Sequence, residues 1–209
     1  MSLEVKTIPA GPIQTNAYLI IDKERQEALL VDAPPDSYDI VHHHLGGAKL
    51  VALLLTHGHF DHLGNLAAFQ KDGVPVYAHK EGEKLLHDPS IQTSMFGIDF
   101  EASKIDVEVK QDDILELMSQ KIEVRFVPGH CPGSVLFYFS EIKEAFVGDA
   151  IFNGSIGRVD LPGGDFKTLE KSILEQIYTL PKDTILSPGH GPKTQVAAEM
   201  FSNAYVRSS

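Results

Sequence analysis

Cysteine is nearly missing. Cys131 is the only one in 209 residues, which excludes an internal disulfide. Long apolar runs are missing too, and a run such as LVALLL is far short of the ~20 residues that a membrane-crossing helix needs. Positive charge is scarce. Lys and Arg total 18 against 29 Asp and Glu, a net charge of −11 with histidine neutral. An acidic surface repels phosphate backbones, so nucleic acid is a poor partner. Residues 1–10 have no apolar core behind a basic start, so no secretory signal is read there and a cytoplasmic protein is expected. No linker, low-complexity tract or short repeat interrupts the chain, and 1–209 reads as a single domain.

What is present is an ordinary globular composition, 43% hydrophobic and 22% charged. VKTIPA, NAYLIID and EALLVDA are short apolar runs separated by turn residues, and they predict strands. SYDIVHHHLG has helical spacing, with Ser37 as cap and Gly46 as stop. KLVALLLTH predicts a strand buried on both faces, LGNLAAFQKDG a short helix, and VPVYAH a further strand. The text from KEGEKLLHDPS to DFEAS is mixed and predicts nothing definite. KIEVRFVPGH, SVLFYFS, EAFVGDAIF and DTILSPGHG predict strands. DFKTLEKSILEQIYTLP predicts a helix with Phe166, Leu169, Ile173, Ile177 and Leu180 on one stripe, and TQVAAEMFSNAY a last helix. Helices early and late around many strands predict layers, with helices outside and sheets inside. A loose two-fold echo is visible, since each half ends a buried strand in histidine and then starts a helix.

Four places share one grammar: an apolar strand ends, a small residue or proline follows, and a ligand-type side chain appears. VALLLTHGHFDH supplies His57, His59, Asp61 and His62. VRFVPGH supplies His130, EAFVGD supplies Asp149, and TILSPGH supplies His190. In layered α/β folds the crevice beyond the carboxyl ends of strands is where ligands bind. These seven groups are too many for one zinc, which takes about four ligands. Two ions roughly 3.5–4 Å apart would use all of them if one carboxylate bridged the pair. Asp61 adjoins His62 and serves the same ion, so Asp149, alone on its strand, is the better bridge. His79, His87 and the run His42 to His44 read instead as packed or surface residues. Cys131 reads as a small buried residue beside a ligand, with a redox role as the alternative.

The same motifs carry a resemblance. THGHFDH, PGHCPGS, VGDAIF and PGHGP resemble the signature of the metallo-β-lactamase superfamily, in order and spacing, from about Val5 to Gly191. GSIGRVDLPGGD resembles its glyoxalase II-like branch. The resemblance implies a four-layer αβ/βα sandwich with two divalent ions in the edge crevice, zinc ahead of iron or manganese. It implies one ion on His57, His59, His130 and Asp149, and the other on Asp61, His62, Asp149 and His190.

Paired ions would lower the pKa of a shared water to ~7 and give a bridging hydroxide at neutral pH. Asp61 would orient it for attack on a carbonyl. A thiolate, with a free pKa of about 8.5, needs little help to leave. The expected reaction is therefore thioester hydrolysis, and the resemblance implies a small-molecule acyl thiol as substrate, of the type used by hydroxyacylglutathione hydrolases. Full-length glyoxalase II adds a helical domain that grips glutathione, whereas nineteen residues follow His190 here, so another thiol carrier is open. Arg158 reads as a contact for a substrate carboxylate or as a loop ion pair. Phe60, Phe96 and Phe152 read as pocket lining or as core. Two alternatives remain: a persulfide dioxygenase with one iron on His57 or His59, His130 and Asp149, and a metal-binding module without activity. A secreted β-lactamase is disfavoured by the missing export signal, and a nuclease by the acidic charge.

Overall fold

The computed structural model describes residues 3–207. Strands β1 (Leu3–Ala10), β2 (Thr15–Asp22) and β3 (Glu27–Val31) form an antiparallel meander. After helix α1 (Ser37–Leu45), β4 (Lys49–Leu54) returns parallel to β3. Helices α2 (Phe60–Leu63) and α3 (Leu66–Lys71) then lead to β5 (Val76–His79), parallel to β4. A 3-10 turn, Lys80–Gly82, and helices α4 (Glu83–His87) and α5 (Ser90–Phe96) precede β6 (Val107–Val109). These strands make a six-stranded sheet in the order β1-β2-β3-β4-β5-β6.

The second sheet uses a similar scheme. Strands β7 (Ile114–Leu117), β8 (Gln120–Phe126), β9 (Val135–Phe139) and β10 (Glu144–Gly148) run antiparallel. A small hairpin, β11 (Ile151–Phe152) and β12 (Ser155–Ile156), and helix α6 (Phe166–Ser172) follow. Strand β13 (Ile185–Pro188) then pairs parallel with β10, before β14 (Thr194–Gln195) and helix α7 (Val196–Ser202). The sheet order is β14-β13-β10-β9-β8-β7. In both sheets an antiparallel meander is extended by a parallel strand that arrives through a helical crossover, which is the two-fold echo in topological form.

Strand alternation builds the layers. Tyr18 and Ile20 of β2 pack with Ile122, Val124, Val135, Phe137 and Phe139 of the other sheet. The intervening Ala17, Leu19 and Ile21 pack with Val41, Leu63, Leu66 and Phe69 of the helices. On the far side, Leu136, Tyr138 and Val147 cover Leu169, Ile173, Ile177 and Val196. The result is helix, sheet, sheet, helix: an αβ/βα sandwich. Covering on both faces explains why β2 is buried along its whole length.

Some local expectations are corrected. Asp36, not Ser37, occupies the N-cap position of α1, with φ of 63°, and the Ser37 hydroxyl donates to Pro34 O at 2.6 Å. Gly46 does stop the helix, in a left-handed conformation. The helix expected across LGNLAAFQKDG begins earlier and is split into α2 and α3. The mixed text after β5 forms short helices. The long helix from Phe166 passes into a π turn, Ile173–Ile177, in which Tyr178 N donates to Ile173 O at 2.9 Å. That turn brings the Tyr178 hydroxyl inward to donate to Val206 O at 2.7 Å. Leu169, Ile173, Ile177 and Leu180 are buried as the stripe predicts, but Phe166 is 39% exposed. Strands β6, β7, β12 and β14 escape a reading by pattern because each has only two to four residues.

Phe137 is fully buried between the sheets, whereas Phe201 is 86% exposed. Phe137→Ala is expected to cost about 3–5 kcal/mol in urea unfolding, and Phe201→Ala less than about 0.5 kcal/mol. Equal effects would contradict the assignment of the inner layer.

Candidate metal centre

His57, His59, Asp61 and His62 lie just beyond β4, His130 beyond β8, Asp149 directly after β10 and His190 beyond β13. The fold brings all seven into one crevice. His57 Nε2, His59 Nδ1 and His130 Nε2 form a triangle with sides of 3.2, 3.0 and 3.3 Å. Beside it, Asp61 Oδ2 lies 3.3 Å from His62 Nε2 and 3.2 Å from His190 Nε2. Asp149 sits between the two groups. Its Oδ1 is 3.3 Å from His62 Nε2, and its Oδ2 is 3.5 Å from His190 Nε2 and 3.7 Å from His130 Nε2.

Hydrogen bonds behind the crevice fix which atoms face it. The His130 Nδ1–H donates to Arg158 O at 2.8 Å, so Nε2 presents a lone pair. The Thr56 hydroxyl donates to Asp32 Oδ2 at 2.8 Å, leaving its oxygen to accept from His57 Nδ1, 3.1 Å away. Asp32 Oδ2 also accepts from His62 Nδ1 at 2.7 Å, and Asp32 Oδ1 accepts from Thr56 N at 2.8 Å. The Thr15 hydroxyl donates to Asp61 Oδ2 at 2.8 Å. Gln92 accepts from Phe60 N at 2.8 Å and donates to Gly58 O at 2.8 Å, tying α5 to the loop that carries the first cluster.

These atoms fit a cation. Three nitrogens each 2.0–2.1 Å from one tetrahedral zinc would stand about 3.3–3.4 Å apart, close to the observed triangle. Among the described residues, His62 Nε2 and Asp149 Oδ1 are buried without a hydrogen-bond partner. They face each other at 3.3 Å in a charge contact without good hydrogen-bond geometry, with Asp61 Oδ2 equally close to His62 Nε2. A buried orphan of this kind is costly unless something binds it.

The two groups differ in charge. Burial lowers the pKa of His57, His59 and His130, so the triangle is neutral at pH 7. Burial opposes protonation of His62 as well, but the carboxylates of Asp61, Asp149 and Asp32 outweigh it and hold its pKa well above 6.5. His190, with the same opposition from burial and the same support from Asp149 and Asp61, is raised to about 9.

Other residues singled out by sequence find their places. A cavity of about 390 Å³ over the cluster is lined by Phe60, Phe96, Phe152, Ile156, Leu161 and Arg158, among others. The Arg158 guanidinium pairs with Asp160 at 2.7 and 2.8 Å, which is the loop ion pair, while its backbone oxygen holds His130. Cys131 is fully buried and burial pushes its thiol up to about 12, which fits the packing reading. His42 meets Asp72, His79 stacks on Phe126 and His87 is exposed, all outside the crevice. Asp32, Thr15, Thr56 and Gln92 escaped the sequence reading. Asp32 had a signal: LLVDA ends an apolar strand in Asp-Ala, as FVGDA does at Asp149.

Gly189 adjoins His190, and a Cβ there would collide with Asp149 Oδ1 and His62 Cε1. Gly189→Ala is therefore expected to lower the stability of the metal-free protein by about 1–3 kcal/mol in urea unfolding. An unchanged midpoint would contradict the close approach.

Comparisons with known proteins identify the family. A family model described as the metallo-β-lactamase superfamily matches residues 10–190. The hydroxyacylglutathione hydrolase GloC of Haemophilus influenzae is 34% identical over 210 residues, covering 99% of each chain. The crystal structure of BLEG-1, described as a B3 metallo-β-lactamase, has a TM-score of 0.90 at 37% identity, covering 97% of this chain and 99% of that one. That of TTHA1623 in a di-iron-bound form has a TM-score of 0.85 at 34% identity, covering 97% of this chain and all of that one. The chain belongs to the metallo-β-lactamase superfamily.

Proposed function

We propose that this protein is a binuclear metal-dependent hydrolase of small S-acyl thiols, of hydroxyacylglutathione hydrolase type. The observation that carries the proposal is the pair of donor groups meeting at Asp149 under a cavity. One ion would be held by His57, His59, His130 and Asp149, the other by Asp61, His62, His190 and Asp149. Zinc suits this nitrogen and carboxylate set, with iron or manganese as substitutes. Bound ions supply a water of pKa ~7 and polarise a carbonyl oxygen.

The chain's own groups do the rest. Phe60, Phe96, Phe152, Ile156 and Leu161 exclude water and receive the acyl portion. Asp61, already ionised in the metal-free protein by the positive charge of His62 and His190 against the penalty of burial, orients the attacking water. Arg158 can meet a carboxylate of the thiol carrier by trading away Asp160. The titratable groups that line the cavity are the cluster's own donors and Arg158, so no separate acid is on hand to protonate a leaving group. A thiolate leaves without one; an amine needs a proton. This favours thioesters over amides.

The likeness to BLEG-1 supports a second reading, β-lactam hydrolysis at the same centre. A one-iron dioxygenase is less well supported, because it leaves the Asp61, His62 and His190 group without employment. The likeness to GloC and to the di-iron form of TTHA1623 favours the two-ion thioester reading.

Metal-free protein supplied with Zn, Mn or Fe is expected to hydrolyse S-lactoylglutathione, followed by loss of thioester absorbance, faster than a chromogenic cephalosporin. Two bound ions without turnover of any acyl thiol would refute the thioester reading. Oxygen uptake on glutathione persulfide would establish the dioxygenase instead.

Metal uptake should also depend on pH in a defined direction. His190 titrates at about 9 in the metal-free protein and must lose its proton to become a ligand. Affinity at its group, where His62 must also give up a proton, should therefore rise with pH to at least about 9, while the neutral histidine triangle shows little dependence at pH 7–9. Calorimetry in buffers of different ionisation enthalpy should find proton release with one ion and almost none with the other. Equal release would contradict the charge assignment.

A further inference from the structure

Strand β2 belongs to the first sheet, yet its start reaches across to the segment of the second sheet that carries His190. Asn16 N donates to Gly189 O at 2.7 Å. The Asn16 side-chain amide donates to Pro188 O and to Gly191 O, each at 3.0 Å. The Tyr18 hydroxyl donates to Pro188 O at 2.7 Å. Asn16 and Tyr18 are 4% and 2% exposed, so water is a poor substitute for either. One amide thus grips both flanks of the Gly189–His190 pair. The preceding residue, Thr15, holds Asp61, which shares that group with His190. The histidine triangle takes its orientation from other residues, Thr56 and the backbone of Arg158.

We infer that Asn16 is a positioning residue that sets how tightly the Asp61, His62 and His190 group holds its cation, with little influence on the histidine triangle. Without the amide, Gly191 O loses its side-chain donor, Pro188 O keeps only the Tyr18 hydroxyl, and the turn between them relaxes. His190 Nε2 then drifts from its place 3.2 Å from Asp61 Oδ2, whereas nothing in the triangle moves. The inference rests on the two-ion reading above.

The experiment titrates Zn(II) into metal-free wild type, Asn16→Ala, Asn16→Asp and Tyr18→Phe in competition with a chromophoric chelator. It is repeated with Co(II) to read the absorption of each bound ion. His190→Ala serves as the reference for loss of the ion at that group. Asn16→Asp keeps the volume and removes the N–H donors, so it carries the test if Asn16→Ala does not fold. The ion missing in His190→Ala is expected to bind about 10–100-fold more weakly in the Asn16 variants, with the other within about twofold of wild type. Tyr18→Phe, which removes one of the donors to Pro188 O, should shift the same ion by less. Equal weakening of both ions, or of neither, overturns the inference. Wild type that takes up only one ion would instead overturn the two-ion reading itself.

Discussion

A single buried carboxylate organises the centre. Asp32 accepts from the Thr56 amide, the Thr56 hydroxyl and His62 Nδ1. The last two bonds decide which nitrogen of His57 and which of His62 is turned toward the crevice. Asp32 does this from a left-handed backbone, φ of 60°, which costs a non-glycine residue some strain. The position is over-determined: Asp32 N is tied to Leu54 O at 3.1 Å, and Ala33 N to His62 O at 2.7 Å. The strand end, the loop and the imidazoles are therefore set together.

The two sheets divide the labour. The first sheet and its loop supply His57, His59, Asp61 and His62; the second supplies His130, Asp149 and His190. The inner layer of Tyr18, Phe137, Phe139 and Phe146 keeps the halves at a fixed separation. Close-packed interiors of this kind resist sliding, which helps side chains from separate strands to meet at one crevice.

The clustering of the seven His and Asp side chains was legible in the sequence because they recur beside strand ends, and the strands were readable as apolar runs. The sandwich followed from those runs and from the resemblance. The supporting residues were not legible. Thr15, Asn16 and Thr56 look like ordinary strand or turn residues, and their roles depend on partners up to 175 positions away. Gln92 lies in a stretch with no clear period, since α4 and α5 are too short to show one. The π turn was hidden for the opposite reason: its apolar spacing fits an α-helix, and only the bond from Tyr178 N to Ile173 O reveals the wider turn.

The missing room at two glycines limits which substitutions this crevice can absorb. A Cβ at Gly157 would strike Asp149 O, as one at Gly189 would strike the Asp149 side chain. This crevice therefore tolerates only a hydrogen atom at both positions. Substitutions at wall positions such as Ile13, Phe96 and Ile156 meet no such bar, and they would reshape the mouth while leaving the His and Asp floor in place.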